Sequence, residues 1–149
     1  LLFRTCESAI SEILAGAHQA VSEVSDPVAQ LQGVLENHFT SFQHQPHKLV
    51  LLNREVHHLS PLPRQAIAGL EREYLELVRG VIQRGQQAGT FKPLDASLVA
   101  FSLLAVLNGL EGWYDPAGAV TRRQLLSQIA EIVLSGILAH SSKPEKADG

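Results

Sequence analysis

The sequence predicts an all-α protein built as an antiparallel bundle of about six helices. Apolar residues recur at intervals of three and four along most of the chain, which is the periodicity of one face of an α-helix. No stretch shows the strict alternation of a half-buried strand. Hydrophobic residues make up 45% of the chain and aromatic residues only 5%, so the predicted core is aliphatic and rich in helix-forming Leu and Ala.

Composition and charge exclude several classes of protein. The formal net charge is -3, whereas a domain that grips nucleic acid by itself carries a basic face. The single cysteine, Cys6, cannot form a disulfide within the chain and lies on an apolar stripe, so it is predicted to be an inert core thiol. Polar residues interrupt the longest apolar run, Leu98 to Leu110, and no run is expected to cross a membrane. These features predict a cytoplasmic protein.

Asp26 and Pro27 separate the first two predicted helices. The first helix is predicted to run from about Leu1 to Glu23 and the second from Pro27 to about Gln43. Asp26 is a good N-cap residue, and proline is favoured at the first helical position.

Prolines also open the next two predicted helices. The third is predicted from Pro46 to about Leu59, and the fourth begins after Ser60, which is expected to be its N-cap. Gly89 is predicted to end the fourth helix in the left-handed conformation. Two adjacent apolar stripes between Ile67 and Ile82 predict that this helix is central and covered on two sides.

The fifth helix, predicted after Asp95 and ending near Trp113, is apolar around nearly its whole circumference. Such a helix needs cover on both sides, and in a domain of this size a second subunit is expected to cover one of them. Thr121 and Gln124 predict a capping box for the sixth helix. Residues 1–140 form the predicted domain, and residues 141–149 form a polar tail that is expected to be disordered.

Several motifs follow one another from the fourth helix onwards. They are Tyr74, Val81-Ile82-x-x-Gly85-x-x-x-Gly89-Thr90-Phe91, Gly112-Trp113-Tyr114, the turn Asp115-Pro116-x-Gly118, and Ser135-Gly136-Ile137-Leu138. Together they resemble the C-terminal domain of TetR-family regulators over almost the whole chain. The resemblance implies a homodimer held by the last two helices, a ligand cavity within the others, and release of DNA on ligand binding. The turn after Trp113 is most similar to that of regulators that sense acyl-CoA thioesters or related lipid-degradation intermediates.

The start of the chain bears on DNA binding. The chain has no Met and begins Leu1-Leu2-Phe3, already in helical register and without a capping residue. We therefore expect an N-terminal segment to be missing. In the resembled family this segment is the helix-turn-helix, so the protein is expected to contact DNA only through that missing domain.

The last two helices are predicted to form the subunit interface. A two-fold contact needs one self-complementary patch, and two helices from each subunit make a four-helix bundle. Small residues would let the backbones approach, and aliphatic residues would supply apolar area. The predicted interface residues are Leu103, Ala105, Leu107, Gly109, Gly112, Leu125, Ile129, Ile132, Val133 and Gly136. The alternative is that these residues pack on the other helices of the same chain.

A small-molecule effector is predicted to bind among apolar side chains with a few polar groups that orient it. The candidate ligand-binding residues are His38, Phe39, Phe42, Leu51, Arg54, His58, Tyr74, Asn108 and Trp113. Arg54 would pair with a carboxylate or phosphate of the ligand. Alternatively, Arg54 forms a salt bridge with Glu55, Glu71 or Glu73, and the two phenylalanines belong to the core.

No catalytic residue, metal or cofactor is predicted. Glu55 and His58 form one Glu-x-x-His, which is half of a di-iron motif, and the chain has no second copy. His44 and His47 lack nearby cysteine or carboxylate partners, and no phosphate-binding loop or nucleophile elbow is present. The resemblance therefore implies the ligand-sensing and homodimerisation domain of a TetR-like transcriptional repressor, with an acyl-CoA or another lipid-like molecule as its effector. The alternative is a helical scaffold domain without a small-molecule pocket.

Overall fold

The structure is a computed structural model that describes residues 1–139, and these residues form a helical bundle with no named strand. The six helices of this part of the chain are α1 (Leu2–Glu23), α2 (Pro27–His44), α3 (Pro46–Glu55), α4 (Pro61–Gln87), α5 (Ala96–Trp113) and α6 (Arg122–Ile137). The predicted all-α fold is confirmed. The predicted tail at residues 141–149 lies outside the described residues.

Side-chain caps fix the start of three helices. Asp26 and Asp95 each accept a hydrogen bond from the backbone amide three residues on, at 3.0 and 2.8 Å. Thr121 and Gln124 form the predicted capping box at the start of α6. Ser60 occupies the N-cap position of α4, but its side chain makes no hydrogen bond to the helix, so only its position was predicted correctly.

The third helix is shorter than predicted. It ends at Glu55 and continues as a 3-10 turn over Val56–His58. The prediction ran on to Leu59 because apolar spacing alone does not separate an α-helix from the tighter turn that often follows one. The two histidines of this turn are exposed, so little packing holds the segment in α-helical form.

Helix α4 lies at the centre of the bundle, as predicted. It packs against α1, α2 and α5, while α1 also packs against α2 and α3, and α6 lies on α2. Ile67, Val78, Val81 and Ile82 are each at most 1% exposed. The two apolar stripes of α4 therefore serve two different neighbours, which explains their combined width.

The turn after α4 is built around Gly85, Gly89 and Phe91. Gly89 has φ +74°, the left-handed conformation predicted for it. Gly85 faces the Phe91 ring so closely that a Cβ atom there would overlap the ring. Beyond this turn, the Lys92 amide donates to the Ile137 carbonyl at 2.7 Å. The end of α6 is thereby joined to the end of α4.

Helix α5 is the most apolar helix of the bundle. Its 18 residues are long and apolar enough, by length and composition alone, to cross a membrane, and 28% of them are buried. The sequence predicts that polar residues such as Ser102 and Asn108 interrupt this apolar run, but isolated polar residues lower its mean hydropathy only slightly, so the helix meets the criterion of length and composition. The same length and composition occur in core helices of soluble proteins. In this structure α5 packs on α3 and α4.

Candidate effector pocket and subunit interface

A pocket of about 470 Å³ lies among the first five helices, within the size range of ligand sites. Its floor consists of buried side chains from α1 to α4, namely Ile10, Ile13, His38, Leu49, Leu52 and Tyr74. Its rim consists of half-buried or exposed side chains, namely Asn53, Glu71, Arg72, Leu75, Phe101, Leu104, Ala105 and Asn108. The pocket is thus apolar at its base and more polar at its mouth.

Two polar side chains interrupt the apolar floor. His38 on α2 and Tyr74 on α4 are 3% and 4% exposed. The His38 Nδ1 atom lies 3.3 Å from the Tyr74 hydroxyl oxygen, and the two rings are stacked. Burial lowers the pKa of His38 to about 4, and it raises the pKa of Tyr74 above its ordinary value. Both groups are therefore uncharged at neutral pH.

The charged groups of the pocket lie at its rim. Glu71 and Arg72 are both exposed residues of α4. Desolvation raises the pKa of the Glu71 carboxyl, and the nearby charge of His57 partly opposes that rise. The pocket accordingly offers neutral hydrogen-bonding groups inside and full charges only where water reaches them.

Three of the predicted ligand-binding residues, His38, Tyr74 and Asn108, line the pocket. The others lie elsewhere. Phe39 is 1% exposed within the core, and Phe42 packs near Tyr114 with ring centroids 6.3 Å apart. Phe39 therefore occupies the core position that the alternative gave it, whereas Phe42 is partly buried and packs against that core.

Arg54, which was predicted to pair with a ligand, contacts another helix instead. Its Nε atom lies 3.3 Å from Glu111 Oε1, so the ion pair joins α3 to α5. The alternative of an interhelix salt bridge was right in kind, but Glu111 is the partner. His58 is on the exposed 3-10 turn, and its Nε2 atom lies 3.6 Å from Glu55 Oε2. Leu51 is half-buried. The pocket lining does not include Leu51, Arg54 or His58.

Most of the aliphatic lining was not anticipated from the sequence. Ile10, Leu49, Leu52, Leu75 and Leu104 all sit at helical spacing on core-facing stripes. Such spacing predicts that a side chain points into the bundle, but it does not distinguish a filled core from a hollow one. The sequence feature that correctly predicted pocket-lining residues was a polar residue on an otherwise apolar stripe, as at His38 and Asn108.

Helix α5 has a second apolar face that the other residues within 1–139 leave uncovered. We call it the outer face of α5, and it consists of Leu98, Phe101, Ala105, Gly109, Gly112 and Trp113. The side chains of Leu98, Phe101 and Trp113 are 64%, 59% and 63% exposed. On α6, Ile132 lines a surface groove together with Trp113 and is 68% exposed. These four large apolar side chains are therefore mostly open to solvent.

The predicted interface residues divide into two groups. Those that are buried within their own chain are Leu103, Leu107, Leu125, Ile129 and Val133. Those that are exposed are Ala105, Gly109, Gly112, Ile132 and Gly136. A Cβ atom on any of these three exposed glycines would meet nothing within 4 Å. Packing inside this chain therefore does not require glycine at those positions.

The histidines and the cysteine are not gathered into a metal site within residues 1–139. No group of three or more His, Cys, Asp or Glu side chains in this part of the chain is placed to hold a metal ion. Cys6 is fully buried, and burial, together with the charges of Glu71 and Glu55, raises the pKa of its thiol. A thiol in that environment is a poor nucleophile.

Comparison with known proteins agrees with the helical fold described above. The tetracyclin repressor-like, C-terminal domain family model matches residues 24–137. The HTH-type transcriptional repressor KstR2 of Mycobacterium tuberculosis is 27% identical over 145 residues, covering 91% of this chain and 72% of that protein. The solved structure of ketosteroid transcriptional regulator KstR2 from the same organism superposes with a TM-score of 0.86 at 25% identity, covering 93% of this chain and 72% of that one.

Two further solved structures share the fold. PfmR, a TetR family transcriptional regulator from Thermus thermophilus, has a TM-score of 0.82 at 25% identity and covers 90% of this chain and 73% of its own. AibR, solved with isovaleryl coenzyme A and operator DNA, has a TM-score of 0.80 at 18% identity, covering 88% and 71%. Because the family model spans most of the described residues, the chain belongs to the tetracyclin repressor-like C-terminal domain family of transcriptional regulators.

Proposed function

We propose that this chain senses a lipid-like effector, such as an acyl-CoA thioester, and holds two copies of a transcriptional repressor together. The observation that carries the proposal is the pocket of about 470 Å³ with an aliphatic floor. A scaffold domain without a ligand has no need of such an open pocket, because the side chains that line it lack packing partners on one side. A regulator of this kind would act in the cytoplasm. That it contacts DNA through an N-terminal helix-turn-helix remains a prediction from the family resemblance.

The gradient of polarity in the pocket supports a lipid-like effector. Aliphatic side chains such as Ile13 and Leu52 would cover a hydrocarbon body on the floor. Arg72 at the rim would attract an anionic group that stays near water, as the phosphates of a coenzyme A thioester would. AibR, a protein of the same fold, was solved with isovaleryl coenzyme A, which is consistent with this class of ligand.

Helix α5 would connect the effector to the subunit interface. Phe101 and Ala105 belong both to the pocket rim and to the outer face of α5. A ligand that displaces either side chain therefore moves a helix that we propose contacts the second subunit. The size of the resulting shift is limited by the difference in ligand affinity between the two arrangements.

A thermal-shift screen tests the sensing role. The panel consists of acyl-CoA thioesters, free fatty acids, steroids and drug-like aromatics, because a specific ligand raises the melting temperature by mass action. Leu75 lines the pocket, so Leu75→Trp should fill part of it and abolish the shift given by any hit. Leu77 is a matched control, since it is also a half-buried residue of α4 but does not line the pocket. Leu77→Trp should keep the shift.

Two outcomes would count against a sensing role for this pocket. The first is a panel in which no compound raises the melting temperature of the wild-type chain. The second is a hit whose effect survives Leu75→Trp and Leu77→Trp equally, which would place its site elsewhere. The first result would favour the scaffold interpretation, and the second would assign ligand binding to a site other than this pocket.

A further inference from the structure

We propose that the buried end of the effector carries an uncharged oxygen, a hydroxyl or a ketone, that hydrogen-bonds to the His38–Tyr74 pair. This inference rests on the proposed function, because it assigns a ligand chemistry to the same pocket. Among the described residues, these two are the only polar residues of the pocket floor. In this part of the chain, the bond between them is the only side-chain hydrogen bond that either makes.

The hydrogen-bonding capacity of the pair does not depend on which partner donates. If the Tyr74 hydroxyl donates to His38 Nδ1, the His38 Nε2–H remains a free donor and the tyrosine oxygen a free acceptor. If His38 Nδ1–H donates instead, Nε2 becomes the free acceptor and the tyrosine O–H the free donor. In both cases one donor and one acceptor remain. A hydroxyl can use both, and a ketone can use the donor.

The pocket floor does not suit a free carboxylate. A buried carboxylate is stable only when a cation or several donors pair with it. The lining cation of the pocket within residues 1–139, Arg72, lies at the exposed rim. His38 is neutral at pH 7, because burial lowers its pKa to about 4. A ligand with one charged end would therefore enter with its neutral end first.

Three naphthalenes of similar shape distinguish these chemistries. They are 2-naphthol, 2-methylnaphthalene and 2-naphthoate, each titrated into the whole chain at pH 7 and followed by fluorescence and calorimetry. A floor without available hydrogen bonds would favour the methyl compound over the hydroxyl compound by about tenfold. We expect 2-naphthol to bind at least as tightly as 2-methylnaphthalene, and 2-naphthoate to bind at least about tenfold more weakly than 2-naphthol.

Tyr74→Phe tests whether the hydroxyl of 2-naphthol is bound at the pocket floor. It should weaken 2-naphthol binding by about 3- to 10-fold and leave the affinity for 2-methylnaphthalene within about twofold. Tyr114→Phe is the matched control. Tyr114 is also buried, and its hydroxyl donates to the Val120 carbonyl at 2.9 Å, but it lies outside this pocket. This control should leave both affinities unchanged.

The possible failures are distinguishable. If none of the three compounds binds although the thermal-shift panel gives a hit that Leu75→Trp abolishes, the sensing role stands and this inference is overturned; if the panel also gives no hit, both are overturned. If all three bind but the methyl compound or the carboxylate binds most tightly, the pocket stands and the inference alone is overturned. This comparison uses the wild-type chain, so it decides the question even if Tyr74→Phe does not fold.

Discussion

The pocket floor and the outer face of α5 are both apolar, yet they are suited to different partners. The floor is concave and buried, and it carries one neutral polar pair, His38 and Tyr74. The outer face lies in the open, with Leu98 and Trp113 64% and 63% exposed. A concave site with a few oriented polar groups selects a small molecule, whereas a broad exposed stripe gains stability when another helix covers it. Shape and polarity separate the two regions, and hydrophobicity does not.

The largest expected effect concerns the floor and appears as a loss of stability in acid. Burial lowers the pKa of His38 from 6.5 to about 4, so the unfolded chain binds more protons than the folded chain between these pH values. The stabilisation is complete above pH 6.5 and is lost as the pH falls towards 4, by about 3 kcal/mol in total.

Denaturant unfolding of the wild-type chain and His38→Gln at pH 7 and pH 4.5 measures this effect. The variant should lose clearly less stability on acidification than the wild type does. His47→Gln is the control, because His47 is exposed on α3. A pH dependence that is the same in all three proteins would show that the floor does not hold a buried neutral histidine.

The second effect concerns the outer face of α5 together with Ile132 of α6. If a second copy covers this surface, Ile132→Glu would bury an unpaired carboxylate, and dimerisation should weaken by about tenfold or more. Leu62→Glu is the matched control, since Leu62 is 78% exposed at the start of α4 and lies outside the surface. Sedimentation equilibrium measures the dissociation constants. If the wild-type chain is monomeric at micromolar concentration, a second copy does not cover the outer face of α5, and the contrast between a ligand site and a subunit contact fails.

The smallest effect tests how closely a partner helix approaches. Alanine is favoured over glycine in a helix by about 0.5–1 kcal/mol, and a Cβ atom at Gly109 would meet nothing within 4 Å among residues 1–139. Gly109→Ala should therefore stabilise the dilute monomer and yet weaken the dimer severalfold. Gly69→Ala in α4 should give the same stabilisation of the monomer without any effect on dimerisation, because Gly69 also lies in open space.

Helix boundaries were largely predictable because the signals for them are local. Asp26, Asp95 and the Thr121–Gln124 box cap helices through contacts three residues apart, and Gly89 needs a conformation that other residues resist. The end of α3 was less predictable. There a 3-10 turn replaces the last α-helical turn, and neighbouring elements have a part in that choice.

The site was only partly predictable because a pocket is a property of how helices are arranged. His38 and Tyr74 could be picked out as polar groups on apolar stripes, but their mutual contact at 3.3 Å joins residues 36 positions apart. Arg54 had carboxylates close to it in sequence, and the structure pairs it with Glu111, 57 positions away. Long-range partners depend on how helices cross, which local patterns do not encode.

By itself, the sequence determined that the chain is all-helical, where most helices begin, and that α5 is apolar on every side, since each follows from short-range periodicity and capping. Only the tertiary structure decided which apolar residues fill the core, which surround a hollow and which remain uncovered. The physical reason is that all three environments favour the same aliphatic side chains, and only the spacing between packed helices distinguishes them.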